Sequence, residues 1–317
     1  MKTKKVVIIG AGHVGSHAGY ALVMQGLVSH IVYIDVDGAK ARAQALDLED
    51  AVSYLRHRVH ISAGDYSDAK DADLLIVAAG PLPDLSKGET RMDSLKKTVS
   101  IVKEVVEHIR ASGFSGIILN ISNPADVVTN YIQRRLDYPA HKVLSTSTML
   151  DSARLRRALS EKLSIDPRSF CVYVLGEHGE SQMVAWSAAT VAGKSLSVYL
   201  KEHANIFGNL DLVALAKEAR GGGWTILEGK GSTEFGIGAS IAEVTRAIFW
   251  DERRVLPVAT LLRGEYGQQD VFASVPAIVG IDGVSEIIEL SLNSEEQKAF
   301  AASCKTMKDN CTLALSL

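Results

Sequence analysis

KVVIIGAGHVG occupies residues 5–15 and decides the fold of the first half of the chain. Its short apolar run predicts a buried strand, and the glycines at Gly10, Gly12 and Gly15 lead directly into a predicted helix. The first glycine permits a tight turn, the second lets a pyrophosphate approach the backbone, and the third lets helix and strand pack closely. Because a helix N-terminus also attracts anions, this stretch predicts a dinucleotide-binding turn.

An acidic residue refines that prediction. Asp35 ends the second predicted strand, 20 residues after Gly15. A carboxylate there accepts hydrogen bonds from the ribose hydroxyls and repels a 2′-phosphate, so NAD is favoured over NADP. FAD and S-adenosylmethionine use similar loops, and glycines can also form a plain turn. The motif alone therefore does not name the cofactor.

The pattern beyond this turn predicts an α/β fold. Strands alternate with helices up to about residue 145, as in a Rossmann-type doubly wound parallel sheet, and the remainder predicts a mixed α+β domain. We therefore expect an NAD-binding domain at residues 1–145 and a substrate-binding, catalytic domain at residues 146–317. The predicted strands are Lys5–Ile9, Ile31–Ile34, Val59–Ala63, Leu74–Ala78, Gly116–Ile121, Val172–Leu175 and Ser187–Val191; the predicted helices are Val14–Gln25, Gly38–Leu55, Met92–Ala111, Asp211–Arg220, Gly238–Phe249 and Ser294–Asn310.

Composition narrows the classes of partner. The 317 residues are 47% hydrophobic, enough for a large core, and 34 Lys+Arg nearly balance 37 Asp+Glu. Without a basic block we expect no nucleic-acid partner, and without a long apolar run we expect no membrane span or signal segment. The three cysteines lack CxxC spacing, so free thiols in a reducing cytoplasm are expected.

Two short segments in the second half contain charged and titratable side chains that could take part in catalysis. Asp151 and Arg154 lie one helical turn apart, and His178 stands between two glycines after a predicted strand. A carboxylate bonded to one imidazole nitrogen fixes the tautomer, so the other nitrogen can donate or accept a proton near neutral pH. A guanidinium suits bidentate binding of a substrate carboxylate. The alternatives are a satisfied core histidine and a simple ion pair.

In order and spacing, these motifs resemble those of the lactate/malate dehydrogenase family, and within it the NAD-dependent L-2-hydroxy acid dehydrogenases. The resemblance runs nearly end to end. It rests on the glycine loop with Asp35, Gly88-Glu89-Thr90-Arg91, Ser122-Asn123-Pro124, Leu150-Asp151-Ser152-Ala153-Arg154, Gly176-Glu177-His178-Gly179 and Lys230-Gly231-Ser232-Thr233.

The resemblance implies a role for each matching residue. His178 would be the acid–base with Asp151 as its orienting partner, Arg154 would clamp the substrate carboxylate, and Arg91 would polarise the carbonyl as its loop closes. Asn123 would hold the carbonyl oxygen and the nicotinamide, the Asn123–Pro124 bond would be cis, and Thr233 would line the substrate side. The cofactor, NAD, would contact Gly10, Gly12, His13, Val14, Gly15, Asp35, Ala79, Gly80 and Asn123.

The loop before Arg91 bears on substrate choice. Malate dehydrogenases place an arginine about six residues ahead of the catalytic arginine, lactate dehydrogenases usually a glutamine, and this chain has Leu85 there. An apolar residue cannot pair a second carboxylate, so oxaloacetate is expected to be a poor substrate. A larger aliphatic acid such as 2-oxoisocaproate fits at least as well as pyruvate. A register slip of one residue would place Asp84 at this position instead.

Other departures from the family concern regulation and fine structure. Asp47-Leu48-Glu49-Asp50 resembles the L-2-hydroxyisocaproate dehydrogenases. Arg156 matches an arginine of the fructose-bisphosphate-activated lactate dehydrogenases, but Cys171 replaces their histidine, so we do not expect that activation. Ser145 and Ser147 replace family glycines near the substrate. His13 and His17 are expected to be helix-surface residues rather than metal ligands, and Cys171 a buried thiol.

Several functions remain open at this stage. The leading prediction is NADH-dependent reduction of a 2-oxo acid; the alternatives are a conventional L-lactate dehydrogenase with an unusual loop, a malate dehydrogenase, an NAD-dependent glycosidase and a non-catalytic NAD-binding module. The resemblance also implies a homodimer or homotetramer, with the Ala-rich helix at Gly38–Leu55 in the dimer interface.

Overall fold

The computed structural model describes residues 4–81, 91–208 and 210–317. Within these ranges no helix is both long and apolar enough to cross a bilayer. The helices are α1 (His13–Met24), α2 (Gly38–Val52), α3 (Arg91–Ser112), α4 (Ala125–Leu136), α5 (Met149–Leu163), α6 (Leu196–Glu202), α7 (Ala204–Phe207), α8 (Leu212–Lys230), α9 (Phe235–Phe249) and α10 (Ser294–Ser316). The strands are β1 (Lys5–Ile9), β2 (His30–Ile34), β3 (His60–Ala63), β4 (Leu74–Val77), β5 (Ile117–Asn120), β6 (Val143–Ser145), β7 (Phe170–Cys171), β8 (Val174–Leu175), β9 (Met183–Val184), β10 (Thr190–Val191), β11 (Lys194–Ser195), β12 (Arg254–Arg263), β13 (Gln269–Gly280) and β14 (Gly283–Ile287).

The first six strands form the predicted parallel sheet. Their order is β3-β2-β1-β4-β5-β6, with every neighbouring pair parallel. This is the strand order of dinucleotide-binding domains, in which ligands bind outside the carboxyl ends of the strands. The predicted Rossmann-type architecture is therefore confirmed, and it locates a cofactor site at that edge of the sheet.

Strand β1 explains why the sheet is covered on both faces. All five of its residues are buried. Val6 and Ile8 pack in one core layer with residues of α1 and α2, whereas Val7 and Ile9 pack in the other with residues of α3 and α4. Full burial of each such side chain contributes roughly 1.5–3 kcal/mol, so the two layers hold the strand and the turn that follows it in place.

Three antiparallel strands extend the same sheet into the second half of the chain. β6 pairs with β12 at Ser145 and Ala259, and β13 and β14 follow, so nine described strands form one sheet. None of the three strands was predicted; in β12 and β13, Pro257 and Pro276 interrupt the apolar runs. The two prolines lie opposite each other, which confines their missing N–H groups to one rung of the ladder.

The rest of the second half differs in detail from the prediction. Helix α5 packs against α8, and small sheets of β11-β10-β7 and β8-β9 flank them. The predicted strand Ser187–Val191 is wrong in its first part, where Trp186–Ala188 form a 3₁₀ turn and only Thr190–Val191 are extended. The predicted buried thiol is also wrong: β7 is an edge strand in which Phe170 faces inward, so period-two alternation leaves Cys171 exposed.

Candidate active site at the carboxyl edge of the sheet

The glycine loop forms a tight cradle between β1 and α1. Gly10 has a φ of +102°, and its N–H donates to the Ile34 carbonyl at 2.7 Å. A Cβ at Gly10 would lie 2.5 Å from the Ala78 oxygen, and one at Gly15 would lie 1.8 Å from the Gly10 oxygen. Side chains at these two positions would force the turn apart, which explains the glycines physically.

The space in front of the cradle fits a dinucleotide. Among the residues described, no side chain caps the N-terminus of α1 and its first turn holds no acid, so its N–H groups remain available to phosphate. The nearest atom to a Cβ built on Gly12 is Nζ of Lys40, at 3.8 Å, which adds a positive charge. Asp35 is fixed at the end of β2 by the Ala11 N–H at 2.7 Å and the Asp37 N–H at 2.9 Å.

Other predicted cofactor residues follow neighbouring strands. Ala79 and Gly80 come after β4, and Asn123 comes after β5, with an exposed side chain. The Asn123–Pro124 peptide bond is cis, as the resemblance implied. Because the carboxyl ends of adjacent parallel strands meet at one edge, these residues lie along the same edge as the glycine loop and Asp35.

His178 and Asp151 form the central pair of the site. Nδ1 of His178 lies 2.5 Å from Oδ2 of Asp151, and the two side chains are 29% and 3% exposed. An isolated carboxylate at that depth would cost several kcal/mol, so the imidazole and the carboxylate depend on each other. With Nδ1 engaged, Nε2 is the nitrogen left for a ligand; none of the described side chains bonds to it.

The pair shifts the acidity of both groups. The Asp151 carboxylate, against the effect of burial, raises the pKa of His178 above its ordinary value. For Asp151, burial favours the neutral form, but the charge of His178, its hydrogen bond and the guanidinium of Arg154 together hold the pKa below its usual range. The site therefore combines a charged carboxylate with an imidazole that keeps its proton more strongly than usual.

Arg154 reaches the same carboxylate from the next turn of α5. Its Nη1 donates to Oδ1 of Asp151 at 3.2 Å, and its side chain is 10% exposed. Helix α8 packs against this side chain through glycines, and a Cβ at Gly223 would lie 3.3 Å from Nη1. The predicted helix Asp211–Arg220 thus continues to Lys230, and its glycine-rich turn provides room for the guanidinium.

A cavity of about 330 Å³ adjoins Arg154. Thr233 lies on its wall, as do the apolar side chains Leu150, Ala153 and Ile226. At its margin Glu234 accepts a hydrogen bond from His13, 2.7 Å from Nδ1, and pairs with Lys230. A contact between the glycine loop and the start of α9 was not predicted, since residues 221 positions apart in sequence give no local signal.

The sequence analysis also missed a second carboxylate beside the histidine. Oδ2 of Asp126 accepts the His178 backbone N–H at 2.8 Å, and Oδ1 accepts the Ser147 hydroxyl at 2.6 Å. The Glu177 N–H donates to Oγ of Ser303 on α10 at 2.9 Å. The one signal for Asp126 was an acid in the first turn after Asn123-Pro124, which is common at helix N-termini and names no function.

Some predicted residues are not placed. Leu85, most of the Pro-rich loop and Gly88-Glu89-Thr90 lie outside the described residues, as does the side chain of Arg91, whose backbone begins α3. In the described part of the chain no group of three or more His, Cys, Asp or Glu side chains is arranged to hold a metal ion. His13 and His17 both face Glu234, with the imidazole of His13 largely exposed.

Comparison with known proteins agrees with this architecture. Residues 4–145 match the NAD-binding domain of lactate/malate dehydrogenase, and residues 148–317 match its alpha/beta C-terminal domain. The chain is 42% identical over 307 residues to L-lactate dehydrogenase 3 of Bacillus cereus, covering 97% of this chain and 96% of that protein. It is 40% identical over 311 residues to L-lactate dehydrogenase 1 of Bifidobacterium longum, covering 98% of each.

This chain is also similar in fold and sequence to a solved structure. The ligand-bound minor L-lactate dehydrogenase of Enterococcus mundtii superposes with a TM-score of 0.94 at 39% identity, covering 99% of both chains. The fold and the nucleotide cradle define an NAD-dependent oxidoreductase. More particularly, the chain belongs to the lactate/malate dehydrogenase family, which confirms the resemblance found in the sequence.

Proposed function

We propose that this protein is an NAD-dependent L-2-hydroxy acid dehydrogenase that interconverts a small aliphatic 2-oxo acid and the corresponding hydroxy acid. The observation that carries the proposal is the buried Asp151 carboxylate, shared by Nδ1 of His178 and Nη1 of Arg154. This arrangement sets a proton donor beside an anion receptor, and the anion receptor, Arg154, lines a cavity beside the nucleotide edge.

Each residue has a defined task in this proposal. Arg154 binds the substrate carboxylate through its planar fork, which fixes the position of the neighbouring carbonyl. His178 donates the proton on Nε2 to the carbonyl oxygen during reduction and takes it back during oxidation. Asp151 keeps Nδ1 protonated and stabilises the imidazolium.

The roles that we propose for the other site residues rest on their positions in the fold and on the family resemblance. NADH supplies the hydride when it is bound. Gly10, Gly12 and the N-terminal N–H groups of α1 would hold its pyrophosphate, and Asp35 its ribose. Arg91 would stabilise negative charge on the carbonyl oxygen, and Asn123 would hold the same oxygen and the nicotinamide. Thr233 would contact the substrate side chain.

The substrates that we propose are a subset of the 2-oxo acids. The relatives compared above are named L-lactate dehydrogenases, which favours pyruvate, whereas the cavity of about 330 Å³ with Leu150, Ala153 and Ile226 on its wall favours a larger aliphatic acid. Leu85 gives a malate-type second carboxylate no partner. We therefore propose pyruvate and 2-oxoisocaproate as substrates and oxaloacetate as a poor one.

A substrate panel tests the proposal. The kcat/KM for NADH oxidation is measured with pyruvate, 2-oxobutyrate, 2-oxoisocaproate, phenylpyruvate and oxaloacetate. We expect turnover of the monocarboxylates and at least about a hundred-fold lower kcat/KM for oxaloacetate. No turnover of any of the five, with NADH still bound, would instead identify a non-catalytic NAD-binding protein.

A single substitution tests the role of His178. We expect His178→Gln to bind NADH as the unmodified enzyme does and to lose about 10²–10⁴-fold in kcat, because no group then transfers the proton. His203→Gln is the matched control, since Nδ1 of His203 bonds only to the Tyr199 carbonyl among described contacts. Near-normal turnover of His178→Gln would remove His178 from the mechanism.

We propose three further properties on the same basis. The ranges 1–145 and 146–317 act as cofactor and substrate domains, which the separately matched ranges support. A homodimer or homotetramer is supported by Leu46, an apolar side chain of α2 that is 64% exposed in the single chain. A reducing compartment such as the cytoplasm is supported by three free thiols. Light scattering in solution tests the oligomeric state.

A further inference from the structure

A second buried carboxylate supports the histidine loop through its backbone, whereas Asp151 bonds to the imidazole. Asp126 lies in the first turn of α4 and is 2% exposed. Each of its oxygens has its own donor: the Ser147 hydroxyl at 2.6 Å and the His178 backbone N–H at 2.8 Å. Among the described contacts no Lys or Arg pairs with Asp126, so these two hydrogen bonds and the charge of the His178 imidazolium are what favour a buried negative charge at this position.

Ser147 has an unusual conformation for the residue that makes this bond. Its φ is +36°, in the left-handed region where a residue with a Cβ is strained. A glycine at this position would avoid that strain. The serine therefore compensates its strain with a charge-assisted hydrogen bond that glycine could not make.

We propose that Ser147 and Asp126 are positioning residues for His178: the hydroxyl keeps Asp126 ionised, and the Asp126 carboxylate anchors the histidine backbone and stabilises the imidazolium. The inference rests on the proposed acid–base role of His178. It adds a second anion to the histidine's surroundings, and it assigns a purpose to a serine that departs from the family.

The protonation of Asp126 follows from its surroundings. Burial raises the pKa of Asp126 to about 6, against the hydrogen bonds from Ser147 and from the His178 N–H. The carboxyl is thus ionised above about pH 6, where it adds to the raised pKa of His178. Removing the hydroxyl raises the pKa of Asp126 further, so its charge and its support for the imidazolium fade near neutral pH.

The other groups around the pair do not replace this charge. Asp151 and Arg154 face His178 from α5, and Glu177 lies beside it on the same loop. From α10, Cys304 and Cys311 have pKa values raised to about 12 by burial, so both thiols are neutral at working pH. Asp126, with its pKa raised to about 6, is therefore a buried acid of this cluster whose charge changes close to neutral pH.

The test compares Ser147→Ala, Ser147→Gly and Asp126→Asn with Ser187→Ala. Ser187 is a matched control, because its N–H and hydroxyl also bind one carboxylate, that of Glu296 at the start of α10, outside the site. The pKa of His178 is measured by NMR of ¹³C-labelled histidine, with the signal assigned from its loss in His178→Gln. Profiles of kcat/KM against pH for pyruvate or 2-oxoisocaproate reduction accompany it.

We expect Asp126→Asn to lower the pKa of His178 by about one unit, and both Ser147 variants to lower it by less. The basic limb of kcat/KM should move down equally while NADH affinity stays constant, and Ser187→Ala should match the unmodified enzyme. An unchanged His178 pKa in a folded Asp126→Asn overturns the proposal. If that variant does not fold, an unchanged pKa in Ser147→Ala does so.

The two proposals fail differently. If the unmodified protein reduces none of the 2-oxo acids, the proposed function fails. The NMR titration then still decides whether Ser147 and Asp126 control His178, because it requires no turnover.

Discussion

Asp151 serves two partners at once, and this sharing sets the charge state of the site. Each of its oxygens has one donor, Nδ1 of His178 on Oδ2 and Nη1 of Arg154 on Oδ1. Because the carboxylate is nearly inaccessible to water, it favours the protonated imidazole more strongly than an exposed acid would. In the proposed mechanism, the same residue therefore aligns the proton donor and the anion receptor.

The raised pKa of His178 predicts opposite pH dependences for the two directions of reaction. Reduction needs the imidazolium, so its kcat/KM should be flat at lower pH and fall about ten-fold per unit above the His178 pKa, which lies above the ordinary 6.5. Oxidation needs the neutral imidazole, so its kcat/KM should rise across the same range. Initial rates in both directions across one buffer series provide the measurement; limbs of the same sign would contradict the role.

Arg154→Leu should remove the substrate clamp. We expect kcat/KM for the 2-oxo acid to fall at least about a hundred-fold, mainly through KM, with NADH affinity unchanged, because charge-assisted hydrogen bonds to the carboxylate are lost. Arg154→Lys should recover part of the loss, since it restores charge without the planar fork. Arg168→Leu is the control: its side chain is 90% exposed and pairs with Asp166. An unchanged KM in Arg154→Leu would refute the clamp.

At the residue scale, the sequence predicts the charged and titratable side chains of the site better than it predicts the residues that hold them in position. The sequence motifs identify three candidate residues by their type and spacing: His178, Asp151 and Arg154. The structure brings these three side chains into one cluster. Asp126 could not be identified as their neighbour, because a backbone N–H 52 positions away leaves no trace in the sequence. The exposure of Cys171 was likewise hidden, since a two-residue strand gives no periodicity to interpret.

Among the secondary-structure elements, α8 contains three consecutive glycines, which are poor helix formers, where it packs against α5. Gly221, Gly222 and Gly223 interrupt its pattern and favour a break, since glycine costs about 1 kcal/mol relative to alanine in a helix. The helix nevertheless continues to Lys230, because its packing against α5 outweighs the local preference. The glycine surface is what allows Arg154 to lie between the two helices.

Two alanine substitutions in α8 separate helix propensity from this packing. Gly221→Ala should raise the free energy of unfolding by about 0.5–1 kcal/mol without changing KM, because a Cβ there meets nothing within 4 Å. Gly223→Ala should raise KM for the 2-oxo acid several-fold, because its Cβ would press on the guanidinium of Arg154 at 3.3 Å. Denaturant titrations and steady-state kinetics of both variants supply the comparison; equal KM values would show that the guanidinium tolerates the methyl group.

Strands β12 and β13, which were not predicted, also depend on tertiary packing rather than on local sequence preference. β1, β2 and β4 were predicted because apolar, β-branched runs end in turn residues. β12 and β13 are longer, yet each contains a proline, which normally argues against an interior strand. Only the pairing of Pro257 with Pro276 makes both acceptable, and pairing between strands is a tertiary property.

On the scale of the whole molecule, the continuous sheet joins the first half of the chain to the second half. β6 and β12 meet edge to edge, and α1 packs on α9 across the same boundary. One apolar cluster crosses this boundary, since it includes Leu22 of α1 and Ile241 of α9. The halves are therefore expected to unfold as one unit.

The position of the tryptophans makes this cooperativity measurable. Trp186, Trp224 and Trp250 all belong to the second half, and Lys4 of the first half lies over the Trp250 ring, so their fluorescence reports mainly on the second half, whereas far-ultraviolet circular dichroism reports on both. Ile76→Val in β4 should destabilise by about 1 kcal/mol and move both transitions together. Val36→Ala, at a fully exposed position, should move neither. A circular dichroism transition that shifts without the fluorescence would show that the halves unfold independently.

The anchoring of the histidine loop to α10 has a consequence for biosynthesis. A chain emerging from the ribosome presents the glycine cradle and the parallel strands first, and domains generally fold in that order. The Glu177 N–H obtains its partner on Ser303 only when translation has nearly reached the end of the described residues. A nascent chain therefore contains the whole glycine cradle well before it contains the partner of the histidine loop, and a translation product arrested before α10 would lack the Ser303 hydroxyl that accepts the Glu177 N–H.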